Sequence, residues 1–271
     1  MPVLAVGLPI GPVGAITHGE ALVFLIVSMA CSVVVIGYAV YDVIRRRSAL
    51  LIYCLAGSVF CNFAEPFWDA LGGLRFKDGN IWAFTMFPDL AVPIHYPWWA
   101  AFVYSYFTGV ASYIFARVFQ AGVKRSTFWY LIIGQAVWNS VLEGLVITDA
   151  YDYHGYHPWR YGTDFPLWWV FTNYGVVLAG ALIAVAIRRW GTRAAATAVL
   201  VVPSSFATWE MWSGWPVFAA LNSEFGSLGR NIAALLTACI SIGSLWAMRE
   251  FMQPATDAAA PTRPPYSTLA S

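Results

Sequence analysis

The chain has 271 residues, of which 59% are hydrophobic and 11% are charged, and its formal net charge is +1. Soluble globular domains carry roughly 25% charged residues, so this composition excludes an ordinary soluble domain and predicts a membrane protein. The near-neutral charge provides no basic surface for nucleic acid, which is therefore not an expected partner.

Seven apolar stretches follow one another along the chain, and each is close to the ~20 residues that a helix needs to cross a bilayer. Turn and charge signals separate them: Arg45, Arg46 and Arg47 end the first stretch, and Gly72 ends the second. The predicted spans cover residues 21–44, 49–72, 97–121, 127–149, 166–189, 194–220 and 231–251. The sequence therefore predicts an all-α fold, an integral membrane bundle of seven transmembrane helices within residues 1–252. The Ala-, Pro- and Ser-rich tail over residues 253–271 is expected to be disordered.

The basic residues are divided unequally between the two predicted sides of the membrane. Of the 15 lysines and arginines, eleven lie after spans one, three and five or on the C-terminal flank, and four lie on the other side. Because basic residues concentrate in cytoplasmic loops, the N terminus is predicted outside and the C terminus in the cytosol. We expect a multi-pass protein of the cell membrane, surrounded by the lipid bilayer.

The two longer loops on the predicted outer side, about 73–96 and 150–165, are rich in aromatic residues. An interfacial aromatic belt is the simplest interpretation. However, of the 14 tryptophans only Trp129, Trp190 and Trp246 lie near the inner ends of spans, whereas a belt is ordinarily two-sided. The excess indicates an aromatic cavity in the outer half of the membrane, or a lid over it.

Acidic and carboxamide side chains lie inside the predicted spans, where ionisable groups are costly and by default point to function. At about 1.5 Å per helical residue, Glu65 and Asp69 in span two, Glu143 in span four and Glu210 in span six all fall in the outer half of the membrane. Asn173 in span five lies at a similar level.

The spacing of these residues supports a facing arrangement. Asn62, Glu65 and Asp69 fall at i, i+3 and i+7, and Asn139 and Glu143 at i and i+4, so each set shares one helical face. Carboxyl groups that face one another in an apolar site cannot all be ionised, so at least one is expected to be a neutral acid able to donate a proton. The alternative is a hydrogen-bonded network that only holds the helices together.

Several other membrane chemistries lack the residues they need. A retinal protein requires a lysine in its last span, but the only lysines are Lys77 and Lys124, both in predicted loops. The cysteines show no pairing or metal-type spacing and are expected to be small buried hydrophobic groups. Neither a phosphate-binding glycine loop nor a nucleophile or zinc motif is present, so no metal or cofactor is expected. The histidines lie outside the spans: His18, His95, His154 and His157.

A neutral acid, aromatic surroundings and a membrane location together point to a lipophilic alkene as substrate. Protonating an isolated double bond requires a carboxylic acid that is kept neutral by an apolar site. The resulting carbocation is stabilised by aromatic faces, and water must be excluded until the terminating step.

At the level of these residues, the chain resembles a known family. Seven spans in about 250 residues, Asn62-Phe63-Ala64-Glu65 in span two and an acid beside Trp209 in span six are similar to the integral-membrane terpene cyclases. That family includes fungal meroterpenoid and indole-diterpene cyclases and bacterial drimentine-type cyclases of indole sesquiterpenoids. The Ala-, Gly- and Arg-rich composition favours the bacterial branch, and hence a bacterial plasma membrane.

The resemblance implies a protonation-initiated, class II-type cyclisation of a prenyl chain. The expected substrate is a farnesyl chain on an indole, a diketopiperazine or another aromatic acceptor. Glu65 matches the acid of the family's second-span region. The fungal pattern has its partner acid in the last span, where this chain carries none before Glu250, so Glu210 is the expected substitute, and Asp69 is expected to tune or relay the proton. The remaining candidate residues are expected to bind substrate: Asn62, Trp68, Tyr104, Trp138, Asn139, Glu143, Asn173, Phe206, Trp209 and Trp212.

Two other functions use the same features. A membrane isoprenoid or sterol double-bond isomerase would employ the same acid and aromatic groups without forming rings. A proton-coupled carrier of lipophilic molecules would use the outer carboxyl groups to bind a cation, although no inverted repeat is visible.

Overall fold

The computed structural model describes residues 13–86, 93–122, 124–162 and 164–252, and helix accounts for 76% of them. The predicted mainly helical fold is confirmed. The expected disorder of residues 253–271 concerns a segment outside the described residues.

Seven helical segments follow one another in chain order, at positions close to the seven predicted spans. The first two are α1 (His18–Arg46) and α2 (Leu50–Leu71), and the third runs through α3 (Trp98–Tyr104), a π-helical turn (Ser105–Val110) and α4 (Ala111–Ala121). The fourth joins α5 (Arg125–Val141) to a second π-helical turn (Leu142–Val146), and the fifth comprises α6 (Trp169–Thr172) and α7 (Gly175–Trp190). The last two are α8 (Ala198–Leu221) and α9 (Ser227–Met252).

Four helical stretches of the described chain are long and apolar enough to cross a membrane, judged by length and composition. They are His18–Arg46, Leu50–Leu71, Trp169–Trp190 and Ser227–Met252. The third and fourth segments are each interrupted by a π-helical turn. Membrane character is therefore supported, whereas seven crossings and the orientation of the termini stay predictions.

The helices pack closely around α7 and α8. Helix α8 contacts α2, α7 and α9, while α7 also packs on α4 and α1 packs on α3. Glycine permits a close approach of two helices: a Cβ atom on Gly57 of α2 would lie 2.6 Å from the Ala198 carbonyl oxygen of α8. Small residues allow helix backbones to approach in this way. The contact fixes α2 against α8, the two helices that carry Glu65, Asp69 and Glu210.

Six short strands in the described parts of the chain depart from the all-α prediction. They are β1 (Leu74–Phe76), β2 (Trp82–Met86), β3 (Ile94–Pro97), β4 (Tyr151–Tyr153), β5 (Arg160–Tyr161) and β6 (Phe165–Pro166), paired antiparallel as β1 with β4, β2 with β3 and β5 with β6. Aromatic residues favour extended pairing, which explains why these loops are not irregular. The β1–β4 pair joins the two predicted outer loops to each other, and we call strands β1 to β4 the strand cap.

The prediction that all the cysteines are buried is wrong for two of them. Cys54 and Cys61 are buried, but Cys31 and Cys239 are exposed. Cys31 lies on α1 and Cys239 lies on α9, and the surfaces of both helices carry many exposed apolar side chains. An apolar sequence context therefore indicated a membrane environment, not burial within the protein.

Candidate functional site

Four carboxyl groups on α2, the second π-helical turn and α8 lie near enough to interact electrostatically, and three of them line one cavity. Glu65 and Asp69 extend from α2, Glu143 from the π-helical turn and Glu210 from α8. Glu65 interacts electrostatically with each of the other three. All four acids named from the sequence are thus neighbours, and we call them the carboxyl cluster.

Glu65 has one carboxyl oxygen without a partner. The Tyr104 hydroxyl lies beside its carboxyl group, while Oε2 is buried without a hydrogen-bond partner among the described residues. The Tyr104 ring in turn packs edge-on against Phe206, with centroids 5.7 Å apart. A protonated Oε2 would therefore have its proton free to leave.

Glu143 is held more firmly than Glu65. The Tyr151 hydroxyl contacts its Oε2 at 2.6 Å and its backbone carbonyl oxygen at 2.9 Å. Asn139 lies beside the same carboxyl group and accepts a hydrogen bond from Asn173 Nδ2 at 3.0 Å. Glu143 sits in a π-helical turn, a distortion that is frequent at functional sites. Its contacts suit a fixed structural or positioning group.

Glu210 is the most isolated acid of the cluster. The residue is only 1% exposed, and both of its carboxyl oxygens are buried without a partner in the described parts of the chain. The neighbouring Thr172 hydroxyl instead donates to the Trp169 carbonyl oxygen at 2.9 Å. An unpaired charge in such a position is very costly, so this carboxyl group is expected to be neutral.

A small cavity of about 50 Å³, which we call the carboxyl chamber, is bounded by Glu65, Asp69 and Glu143. A cavity volume of about 10–15 Å³ is enough to admit one water molecule, so this chamber is large enough to admit water. Phe76 lies at the centre of its aromatic wall and meets Tyr96, Trp99 and Tyr151 edge-on, at centroid distances of 5.6, 5.7 and 6.2 Å. Tyr96, Trp99, Tyr104, Phe107 and Tyr151 complete the aromatic lining.

Asp69 borders a second cavity as well. This cavity of about 170 Å³ is lined by Arg75, Asp78 and His95, and it shares Asp69, Leu74 and Phe76 with the carboxyl chamber. Burial lowers the pKa of Arg75, although its electrostatic contact with Asp69 acts in the opposite direction. Asp69 therefore lies between the chamber and a charged cavity of the loop region, where a relay group would be placed.

Three predicted substrate-binding residues near the cluster already have protein partners. Asn62 Oδ1 accepts a hydrogen bond from the Tyr96 hydroxyl at 2.9 Å, so Asn62 ties the strand cap to α2. The Trp68 ring stacks on Phe218 at 6.0 Å. The Trp209 indole donates to the Phe171 carbonyl oxygen at 3.1 Å. These contacts position the walls of the site.

Trp138 and Trp212 are not brought to the carboxyl cluster. Trp138 is 48% exposed, and Trp212 is 57% exposed and donates to Ser244 Oγ at 2.9 Å. Consecutive helical residues are rotated by about 100°, so a tryptophan one residue before Asn139 or two after Glu210 points elsewhere. Closeness in sequence to a site residue was therefore a poor guide to position.

Sequence reasoning did not name Phe76, Trp99 and Phe107, and it named Tyr96 and Tyr151 only as aromatic residues of the outer loops; together these five form most of the chamber wall. The signal was the aromatic excess of the outer loops, interpreted as either a belt or a lid. Four of the five lie within or beside the strand cap, and Tyr96 is completely buried. The lid interpretation fits these positions better than the belt.

Across the described ranges, no group of three or more His, Cys, Asp or Glu side chains is arranged to hold a metal ion. The chain was also compared with known proteins. No family model matches it, no curated protein is significantly similar to it, and no solved structure matches its fold.

Proposed function

We propose that the chain is an integral-membrane terpene cyclase that starts cyclisation by protonating a double bond of a prenyl chain. The observation that carries the proposal is the carboxyl cluster, four acids from three helical segments beside an aromatic chamber. A neutral carboxylic acid in an apolar site can protonate an alkene. Aromatic faces then stabilise the carbocation that forms.

Glu65 is the proposed proton donor, because it borders the chamber and its Oε2 has no other described partner. The Tyr104 hydroxyl lies beside the same carboxyl group, where it would donate a hydrogen bond and stabilise the charge that develops as the proton leaves. Asp69, which lies between the chamber and the second cavity, would return a proton to Glu65 after each turnover. Glu210 is close enough to influence whether Glu65 holds its proton.

We infer that all seven helical segments cross the bilayer, with the N terminus outside and the C terminus in the cytosol. The four apolar helical stretches support this, and α8, which carries Glu210, packs directly against three of them, through α2, α7 and α9. The division of basic residues, eleven against four, sets the orientation. The carboxyl cluster would then lie in the outer half of a bacterial plasma membrane.

The proposed substrate is a farnesyl chain on an indole or diketopiperazine acceptor, and the product is its cyclised isomer. The proton that starts the reaction is returned when the terminating step releases another, so atoms and charge balance without a cofactor. The family resemblance, through Asn62-Phe63-Ala64-Glu65, supports this substrate class.

The test is a reaction in deuterated water. Membranes containing the protein, incubated with a farnesylated indole, should give a cyclic product that carries one new deuterium atom. Glu65→Gln should abolish the product while still purifying as a monodisperse species, and Glu224→Gln, at an exposed acid outside the cluster, should be normal. Near-normal turnover by Glu65→Gln would place the donor elsewhere. A deuterated product with a shifted double bond and no ring would identify an isomerase.

A further inference from the structure

A large apolar groove lies beside the carboxyl chamber. It has a volume of about 1030 Å³ and is formed by α1, the third helical segment, and α5 with its π-helical turn. We call it the lateral groove. Val27 and Val34 on α1 and Tyr130 and Trp138 on α5 line it and are each about half exposed or more. In a membrane these surfaces face lipid, so the groove opens sideways into the bilayer and not toward water.

The two cavities differ greatly in size. Small-molecule sites in proteins range from about 300 to 1,000 Å³, so the chamber of about 50 Å³ cannot hold a prenylated substrate, whereas the groove can. The two share two lining residues, Phe107 and Ile147. Both side chains are buried and apolar. A thin partition therefore separates the groove from Glu65.

The groove also contains one unsatisfied polar group. Gln135 lines it, and its carboxamide nitrogen is buried without a hydrogen-bond partner in the described structure. A buried donor without an acceptor is costly, which indicates that a ligand supplies one. Gln135 and Ile147 are twelve residues apart, or at most about 18 Å along a segment that includes the second π-helical turn, a length of the same order as an extended farnesyl chain.

We propose that the lateral groove binds the isoprenoid substrate, with a carbonyl or hydroxyl oxygen of its head group at Gln135 and the prenyl chain directed toward Phe107 and Ile147. The substrate enters sideways from the membrane, and its terminal double bond passes these two side chains to reach Glu65. Only this last step rests on the proposed function, because chain binding in the groove requires no chemistry.

Binding can be measured at a cysteine without any turnover. Cys31 lines the groove, and Cys239 on α9 is also exposed but lies outside it. In purified full-length protein in detergent, a farnesylated indole should slow alkylation of Cys31 by N-ethylmaleimide at least ~5-fold and leave Cys239 unchanged. Palmitate at the same concentration should not protect. Equal protection by palmitate would make the groove an acyl-lipid site, and no protection, or equal protection of both cysteines, would overturn the proposal.

A matched pair of glycine variants tests the location. A Cβ atom on Gly134, within the groove, or on Gly243 of α9, outside it, would meet no atom within 4 Å. Both sites therefore accept a phenylalanine without a clash at Cβ, but only Gly134→Phe fills the groove. Gly134→Phe should weaken protection of Cys31 at least tenfold, and Gly243→Phe should leave it unchanged. Equal effects of the two variants would refute the location.

The two proposals can fail separately. If the farnesylated indole protects Cys31 in wild-type protein but not in Gly134→Phe, and no deuterated product forms, the groove is the binding site and the cyclase proposal is wrong. If deuterated product forms and Gly134→Phe leaves KM unchanged, the cyclase proposal stands and the groove is not the binding site.

Discussion

Replacing Tyr104 with phenylalanine removes the hydroxyl that lies beside the Glu65 carboxyl group and leaves the ring that packs on Phe206. If Glu65 donates the proton, a hydrogen bond from this hydroxyl would strengthen as negative charge develops on the carboxyl group. Hydrogen bonds to charged groups contribute about 1.5–3 kcal/mol, and about 1.36 kcal/mol corresponds to a factor of ten in rate. We therefore expect Tyr104→Phe to lower kcat about 10- to 100-fold, with little change in KM.

The matched control is Tyr174→Phe. Tyr174 is equally buried, and its hydroxyl donates to the Ile132 carbonyl oxygen at 3.3 Å, away from the residues that line the chamber. Single-turnover formation of deuterated product from a farnesylated indole measures the chemical step for both variants. Tyr174→Phe should stay within about twofold of wild type. Equal rates for the two folded variants would refute the assignment of Tyr104 as a partner of the reacting acid.

Three further predictions concern packing, pH and orientation. Gly57→Ala places a Cβ atom 2.6 Å from the Ala198 carbonyl oxygen and should lower the free energy of unfolding, measured in detergent, by about 1–3 kcal/mol. Gly243→Ala, where the new Cβ atom meets no neighbour, should leave this free energy unchanged or raise it slightly. Equal shifts would contradict the close approach of α2 and α8. Burial lowers the pKa of His157 from 6.5 to about 3, so the unfolded chain binds a proton that the folded protein does not. The free energy of unfolding is therefore unaffected by the titration of His157 above pH 6.5. It decreases between pH 6.5 and 3, by up to about 1.4 kcal/mol per pH unit. The thermal unfolding temperature of His157→Gln should therefore depend less steeply on pH than that of the wild-type protein. Parallel curves of unfolding temperature against pH for the two proteins would exclude His157 as the cause. The C terminus is predicted to be cytosolic, so a fluorescent protein fused after Met252 should fluoresce, and alkaline phosphatase fused at the same position should be inactive. The reverse pattern would contradict the predicted orientation.

The helical segments could be predicted because a membrane helix must be both long and apolar, two properties that the sequence displays directly. The seven predicted ranges accordingly lie close to the seven helical segments. The π-helical turns could not be predicted in this way, since one inserted residue in a helix leaves the hydropathy of the stretch unchanged. The strand cap was missed because its pairing joins β1 and β4, which lie more than seventy residues apart.

The site could be predicted where residues share one helix. Spacing at i, i+3 and i+7 grouped Asn62, Glu65 and Asp69 on one side of α2, and similar predicted depths placed Glu143 and Glu210 near Asp69, with which both interact electrostatically. The role of each side chain depended on contacts between segments, which spacing does not contain. Asn62 is engaged by Tyr96, a residue of the strand cap, and so its carboxamide oxygen is already occupied.

The difference in volume between the two cavities has a mechanistic consequence. A carbocation survives only where water is excluded, and the carboxyl chamber is large enough to admit water. If the proposed prenyl chain reaches Glu65 past Phe107 and Ile147, its double bond would fill the space that water could otherwise enter, so protonation and exclusion of water would occur in the same movement. Widening the partition by Ile147→Ala would admit water along with substrate. We therefore expect that variant to keep its turnover but to yield a hydroxylated product, detected as a mass increase from incorporated water.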